Sequence, residues 1–149
     1  MTPGTVTTDG VSLVVGTELP PFAIAAVDPQ SMKLWAGFLR DPNPIHLDPR
    51  AVQAKGLGDR VINQGPANLA YLITMLQRAF PGSNLDALDV RYIGSVFGGD
   101  AVEAGGRISE VAEGQTGPRV TCEVWLRANA RDIVITGTSV LSLPCLGDS

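Results

Sequence analysis

Apolar residues recur at helical spacing in two stretches and then alternate with polar ones in a later run, and the order of these stretches predicts the architecture. Met32, Trp35, Ala36 and Leu39 follow Asp28-Pro29, an N-cap residue with proline at the first helical position, so a helix is expected from there to Asp41. Leu69, Leu72, Ile73, Leu76 and Phe80 repeat the spacing over Ala67 to Phe80, while Ala67, Ala70, Tyr71 and Met75 fill most of the other side. A helix that is apolar nearly all round is normally buried. Short β-branched or aromatic stretches at Val11 to Val15 and Phe22 to Val27 read as early strands. After Pro81-Gly82 the strand candidates are Leu85 to Val96, Ala101 to Val111, Val120 to Arg127 and Ile133 to Leu143, with Gly105-Gly106 expected as a bulge or weak point. In Val120 to Arg127 the set Val120, Cys122, Val124, Leu126 is apolar; Trp125 breaks the polar set, so that second face is expected to be covered too. One long buried helix between early strands and a run of long ones implies an α+β fold, a curved antiparallel β-sheet wrapped around a long central α-helix.

Between the two helices lies Asp41-Pro42-Asn43-Pro44-Ile45-His46-Leu47-Asp48-Pro49, with the only histidine of the chain. Its prolines bias Asp41, Asn43 and Asp48 towards extended or turn conformations. A stiff loop without helix is expected, holding Asp41 and His46 in a fixed mutual geometry. That is what a carboxylate and an imidazole acting on one small molecule need. Asp48 then caps a short helix over Arg50 to Lys55, stopped by Gly56 and Gly58. Gly65 stands just before the long helix, whose N-terminus offers free backbone N–H groups and partial positive charge. That makes Gly65 the candidate to hold a developing oxyanion.

Composition narrows the class. At 149 residues the chain is expected to be one domain, 1-149, with residues 1–10 as a loose N-terminal arm. A net charge of −4 and no cluster of Lys and Arg argue against nucleic-acid binding. Cys122 and Cys145 lack zinc-ligand spacing and a single His nearly excludes a His-based metal centre, so no metal is expected. No basic-then-apolar leader and no membrane-length apolar run occur, which reads as a cytoplasmic protein with no membrane partner.

The pattern Asp-x-Asn-Pro-Ile-His-x-Asp over Asp41 to Asp48, after an apolar helix and before Ala51, Gly56 and a glycine heading an apolar helix, resembles the MaoC-like (R)-specific enoyl-CoA hydratases, which have the hotdog fold. The resemblance runs from about Phe22 to Leu143. It implies a hydro-lyase that reversibly hydrates a trans-2-enoyl-CoA to an (R)-3-hydroxyacyl-CoA, with no cofactor other than the CoA carried by the substrate. It further implies that Asp41 and His46 hold the water, that Asn43 and Pro44 belong to the same signature, and that the Gly65 N–H binds the thioester oxygen. A carboxylate is a weak base in water, so apolar surroundings are expected to desolvate Asp41 partly. The chain departs from the pattern at three places. Gln64-Gly65-Pro66 replaces His-Gly-Met, with Pro66 suited to a first helical position but lacking an N–H, and Arg40 stands where relatives have a small residue. Val96 to Asp100 resembles the family's later turn, and Asp100 is expected to fix that turn rather than do chemistry. Lys55, Arg50 and Arg60 are candidates to meet CoA phosphates, solvated surface charge being the competing explanation. Hotdog subunits usually pair sheet to sheet, so a homodimer is expected, or a heteromer with another hotdog chain. Two alternatives stand beside hydration: a hotdog thioesterase, and a non-catalytic acyl-binding subunit of a heteromeric hydratase.

Overall fold

A computed structural model describes residues 7–8 and 10–145. The elements run β1 (Thr7–Thr8), β2 (Val11–Ser12), β3 (Phe22–Ile24), α1 (Pro29–Leu39), a 3-10 turn (Pro44–His46), α2 (Pro49–Ala54), α3 (Gly65–Ala79), β4 (Asn84–Tyr92), β5 (Val102–Glu113), β6 (Pro118–Ala128) and β7 (Asp132–Ser142). Five strands make one antiparallel sheet in the order β3-β5-β6-β7-β4, and β1 pairs with β2 apart from it. The expected α+β arrangement is therefore present.

The long helix lies against one face of that sheet. Leu72, Met75, Leu76 and Ala79 of α3 share a buried core with Ala104 and Ile108 of β5, Cys122 and Leu126 of β6, and Ile135 and Leu141 of β7. Each large apolar side chain buried there contributes about 1.5–3 kcal/mol, which is why the alternation in β6 is so regular. Among the described residues no helix is long and apolar enough to cross a membrane.

Local chemistry sets the helix ends. The Asp28 carboxylate accepts from the Gln30 N–H at 2.9 Å, and the Asp48 carboxylate from the Arg50 N–H at 2.9 Å, each followed by proline in the first turn. Helix α3 begins at Gly65, two residues earlier than the periodicity suggests, which puts Pro66 at its second position rather than its first.

Several boundaries differ from the sequence reading. The first strand stops at Ser12 rather than Val15, leaving Val14 and Val15 exposed, and the second spans only Phe22–Ile24. Strand β4 ends at Tyr92 because the N–H groups of Ile93 and Gly94 both turn to the Val134 carbonyl. Of the expected N-terminal arm, residues 1–6 and 9 lie outside the described residues, while Thr7–Thr8 pair with Val11–Ser12.

Gly105-Gly106 is not a bulge. Gly105 pairs in register with Trp125 and Gly106 with Val124, and the register shift falls between Ile108 and Glu110. A Cβ on Gly105 would stand 2.6 Å from Trp125 Nε1, whereas one on Gly106 would stand 3.0 Å from Leu19 Cδ1 and 3.3 Å from Met75 Cε. One glycine seats the indole on the outer face of the sheet and the other lets α3 come close on the inner face. Arg107 lies 5.8 Å from the Trp125 ring, so the second face of β6 is partly covered, as its tryptophan suggested.

Candidate active site

Helix α1 delivers Asp41. Its last turn closes when Arg40 adopts left-handed backbone (φ 51°) and the Asp41 N–H bonds the Ala36 carbonyl at 3.0 Å. Pro42 and Pro44 disfavour helical backbone at the residues before them, Asp41 and Asn43, so α1 does not continue. The Asp41 carboxylate accepts from the Asn43 N–H at 3.2 Å, and the Asn43 side-chain oxygen accepts from the Ile45 N–H at 3.3 Å. Asn43 thereby caps one turn of 3-10 helix, Pro44–His46, in a segment expected to hold no helix at all. Proline suits the first position of such a turn, since the N–H it lacks has no partner there.

That turn aims His46 back at Asp41. Nε2 of the imidazole lies 3.5 Å from Asp41 Oδ2, and Nδ1 lies 2.6 Å from the Ile62 carbonyl oxygen. A carbonyl only accepts, so Nδ1 carries the hydrogen and Nε2 of the neutral ring presents its lone pair to the carboxylate side. Two acceptors then face one another, an arrangement that a single water donating to both would satisfy. His46 is buried, while the Asp41 side chain is 41% exposed. The Asp41 side chain is thus partly withdrawn from solvent within the single chain.

The extended segment Val61 to Gln64 ties the site together, and of its residues the sequence marked only Gln64, as a departure from the family pattern. On one side the Gly98 N–H donates to the Val61 carbonyl (2.8 Å) and the Asn63 N–H to the Val96 carbonyl (2.7 Å). On the other, the Ile62 N–H donates to the Ile45 carbonyl at 2.9 Å while its own carbonyl holds His46. Asn63 Nδ2 donates to Asn68 Oδ1 at 2.8 Å, fixing the first turn of α3. Gln64, fully buried, donates from Nε2 to the Met32 carbonyl of α1 at 2.7 Å. Gly65 follows at the helix start, where its N–H has no acceptor among the described residues. Its carbonyl accepts from the Tyr92 hydroxyl at 3.0 Å, and partial burial pushes that phenol above its usual range.

A cavity of about 270 Å³ borders the imidazole, lined by Lys33, His46, Leu47, Arg60, Val61 and Gly98 among others. Arg60 is not free surface charge. It donates from Nη1 to Asp100 Oδ1 at 2.8 Å and to the Gly98 carbonyl at 3.0 Å, and its guanidinium lies 5.2 Å from the Phe97 ring. Burial alone would push the Asp100 carboxyl up, but hydrogen bonds from the Asn129 amide, the Phe97 N–H and Arg60, together with the Arg60 charge, hold it below the usual carboxylate range. Asp100 fixes the Phe97–Asp100 turn, as expected. Arg50 pairs loosely with Asp48 at 3.5 Å on the surface, and Lys55 is exposed at the end of α2. Among the described residues no three His, Cys, Asp or Glu side chains cluster closely enough to hold a metal ion.

Residues 12–128 match the family model described as the MaoC like domain. The chain belongs to the MaoC-like dehydratase family. Its fold is the hotdog fold of that family, as solved structures also show. An (R)-hydratase from A. caviae involved in PHA biosynthesis superposes with a TM-score of 0.79 at 23% identity, covering 89% of this chain and 98% of that one. The ChsH1-ChsH2 complex from Mycobacterium tuberculosis gives a TM-score of 0.76 at 21% identity over 88% and 98% of the two chains. A protein described as a MaoC-like dehydratase gives 0.78 at 26% identity, covering 95% of this MaoC-like chain and 43% of the other. No curated protein matches in sequence.

Proposed function

We propose that this MaoC-like chain is a hydro-lyase that adds water reversibly across the double bond of a trans-2-enoyl-CoA to give the (R)-3-hydroxyacyl-CoA. The observation that carries the reading is the pair itself: an imidazole whose tautomer is fixed by Ile62 faces a carboxylate at 3.5 Å, and the imidazole, though not Asp41 or Gly65, lines the adjoining cavity. With both groups unprotonated, the pair takes one proton from the bound water as its oxygen bonds to the β-carbon, and returns that proton to the α-carbon. The site ends each cycle as it began. The Gly65 N–H and the positive end of α3 stabilise the enolate-like thioester oxygen that forms between the two steps. The thioester activates the alkene, so the reaction calls on no further cofactor.

The half-exposed Asp41 and the outer edge of β4, which has no strand neighbour among the described residues, support a second hotdog chain completing the site. Tyr92 stands at the end of that edge strand and touches Gly65, so a partner docked there borders the candidate oxyanion donor. A homodimer is the reading we adopt, as the family resemblance implies.

Purified protein is expected to consume the enoyl absorbance of a trans-2-enoyl-CoA without releasing thiol. Thiol release from a saturated acyl-CoA would point to a thioesterase instead. Inactivity alone with activity on co-expression with another hotdog chain would point to a heteromer subunit.

A further inference from the structure

Helix α1 lies on the outside of the molecule. Of its residues only Met32 is fully buried, while Leu34 and Phe38 are 77% and 81% exposed. Yet this helix carries Asp41, whose distance from His46 and from Gly65 must be held within a fraction of an ångström for the pair to act on one water. Apart from the bond between Asp41 N–H and Ala36 that closes its own last turn, one hydrogen bond among the described residues joins α1 to the rest of the site, from Gln64 Nε2 to the Met32 carbonyl at 2.7 Å. The donor side chain is wholly buried and belongs to the residue just before Gly65.

We infer that Gln64 is a positioning residue that sets the Asp41 carboxylate against His46 by clamping α1 to the head of α3. The segment Val61 to Gln64 then holds both halves of the pair: His46 through the Ile62 carbonyl, and Asp41 through Gln64, Met32 and the last turns of α1. The Met32 carbonyl is the one partner of this buried amide, satisfying its donor end, while Oε1 has no partner among the described residues. An aliphatic side chain would fill the same space without the tie. The catalytic consequence rests on the hydratase reading; the positional claim does not.

The single histidine gives an activity-free test, because the imidazole of this chain yields one Cε1–H signal in a proton–carbon correlation spectrum. At one fixed pH, Asp41→Asn is expected to displace that signal, and Gln64→Met to displace it in the same direction by at least half as much. Gln64→Asn keeps an amide but is one methylene too short to reach the Met32 carbonyl, so the same displacement is expected of it should the methionine variant not fold. In the hydration assay the Gln64 variants are expected to lose tenfold or more in kcat with KM changed less than threefold. A signal unmoved in a folded Gln64 variant, or unmoved by Asp41→Asn, overturns the clamp even if the parent is an active hydratase. A displaced signal in a parent that hydrates nothing leaves the clamp standing and removes the hydratase reading.

Discussion

His46 Nδ1 lies 2.6 Å from the carbonyl oxygen of Ile62, sixteen residues further along the chain. This contact fixes which ring nitrogen is free, and it makes a prediction that separates chemistry from folding. His46→Asn keeps an N–H close to the position of Nδ1 but offers nothing in place of Nε2. Both His46→Asn and His46→Ala are expected to lose hydration by about 10²–10⁴-fold, the usual worth of a positioned acid or base. Only the alanine variant leaves the Ile62 carbonyl without its partner, at a cost of about 1 kcal/mol or more. Thermal melting should therefore place His46→Asn above His46→Ala by about 2–4 °C.

Gly65 tests the oxyanion role. A Cβ there would sit 3.5 Å from the Tyr92 ring, an ordinary contact, so Gly65→Ala is expected to fold with a melting temperature near the parent's. The added methyl would nonetheless stand beside the N–H that meets the thioester oxygen. Hydration should fall by tenfold or more, and unchanged activity in the folded variant would remove Gly65 from the mechanism.

Gly106 has the opposite balance. Its Cβ would press on Leu19, the Glu123 carbonyl and Met75 between sheet and helix. Gly106→Ala is expected to destabilise the fold by about 1–3 kcal/mol, measured by denaturant unfolding, because overpacking in a filled core forces neighbours off their rotamers.

Asp100 links stability to pH. Its carboxyl is held below the usual range in the folded chain, so the folded state binds that proton less readily than the unfolded state. Its contribution is complete above the ordinary carboxylate range and is lost as pH falls through the lowered native value. Asp100→Ala strands the Arg60, Asn129 and Phe97 donors and should cost about 2–4 kcal/mol at neutral pH. The difference between parent and variant should shrink when unfolding is repeated in acid.

The two thiols should behave differently. Burial pushes the Cys122 thiol up to about 12, with Ser139 opposing weakly, whereas Cys145 is exposed. A chromogenic disulfide reagent should titrate one thiol in the native protein and two after denaturation. Two fast thiols in the native state would mean that β6 is not packed against α3 as described.

Much of this was legible in the sequence for identifiable reasons. Asp28-Pro29 and Asp48-Pro49 announce helix starts through side chains that bond their own backbone, and the alternation of Val120, Cys122, Val124 and Leu126 announces a sheet with one buried face. The Asp41–His46 pairing was legible because both residues lie on one proline-stiffened segment. What escaped were contacts made by backbone groups and by residues distant in sequence. The Ile62 carbonyl has no side-chain signature, and the Gln64 amide reaches a carbonyl 32 residues away. Gly105-Gly106 read as a weak point because one sequence cannot show that Trp125 and Met75 occupy the two faces the glycines leave open.

The most direct measurement is a double-mutant cycle on hydration of a trans-2-enoyl-CoA, using Asp41→Asn, His46→Ala and their combination. If the two side chains act on one shared water, each single variant loses most of the rate and the double variant loses no more than the worse single. Losses that multiply, or a folded single variant as active as the parent, would contradict the shared site.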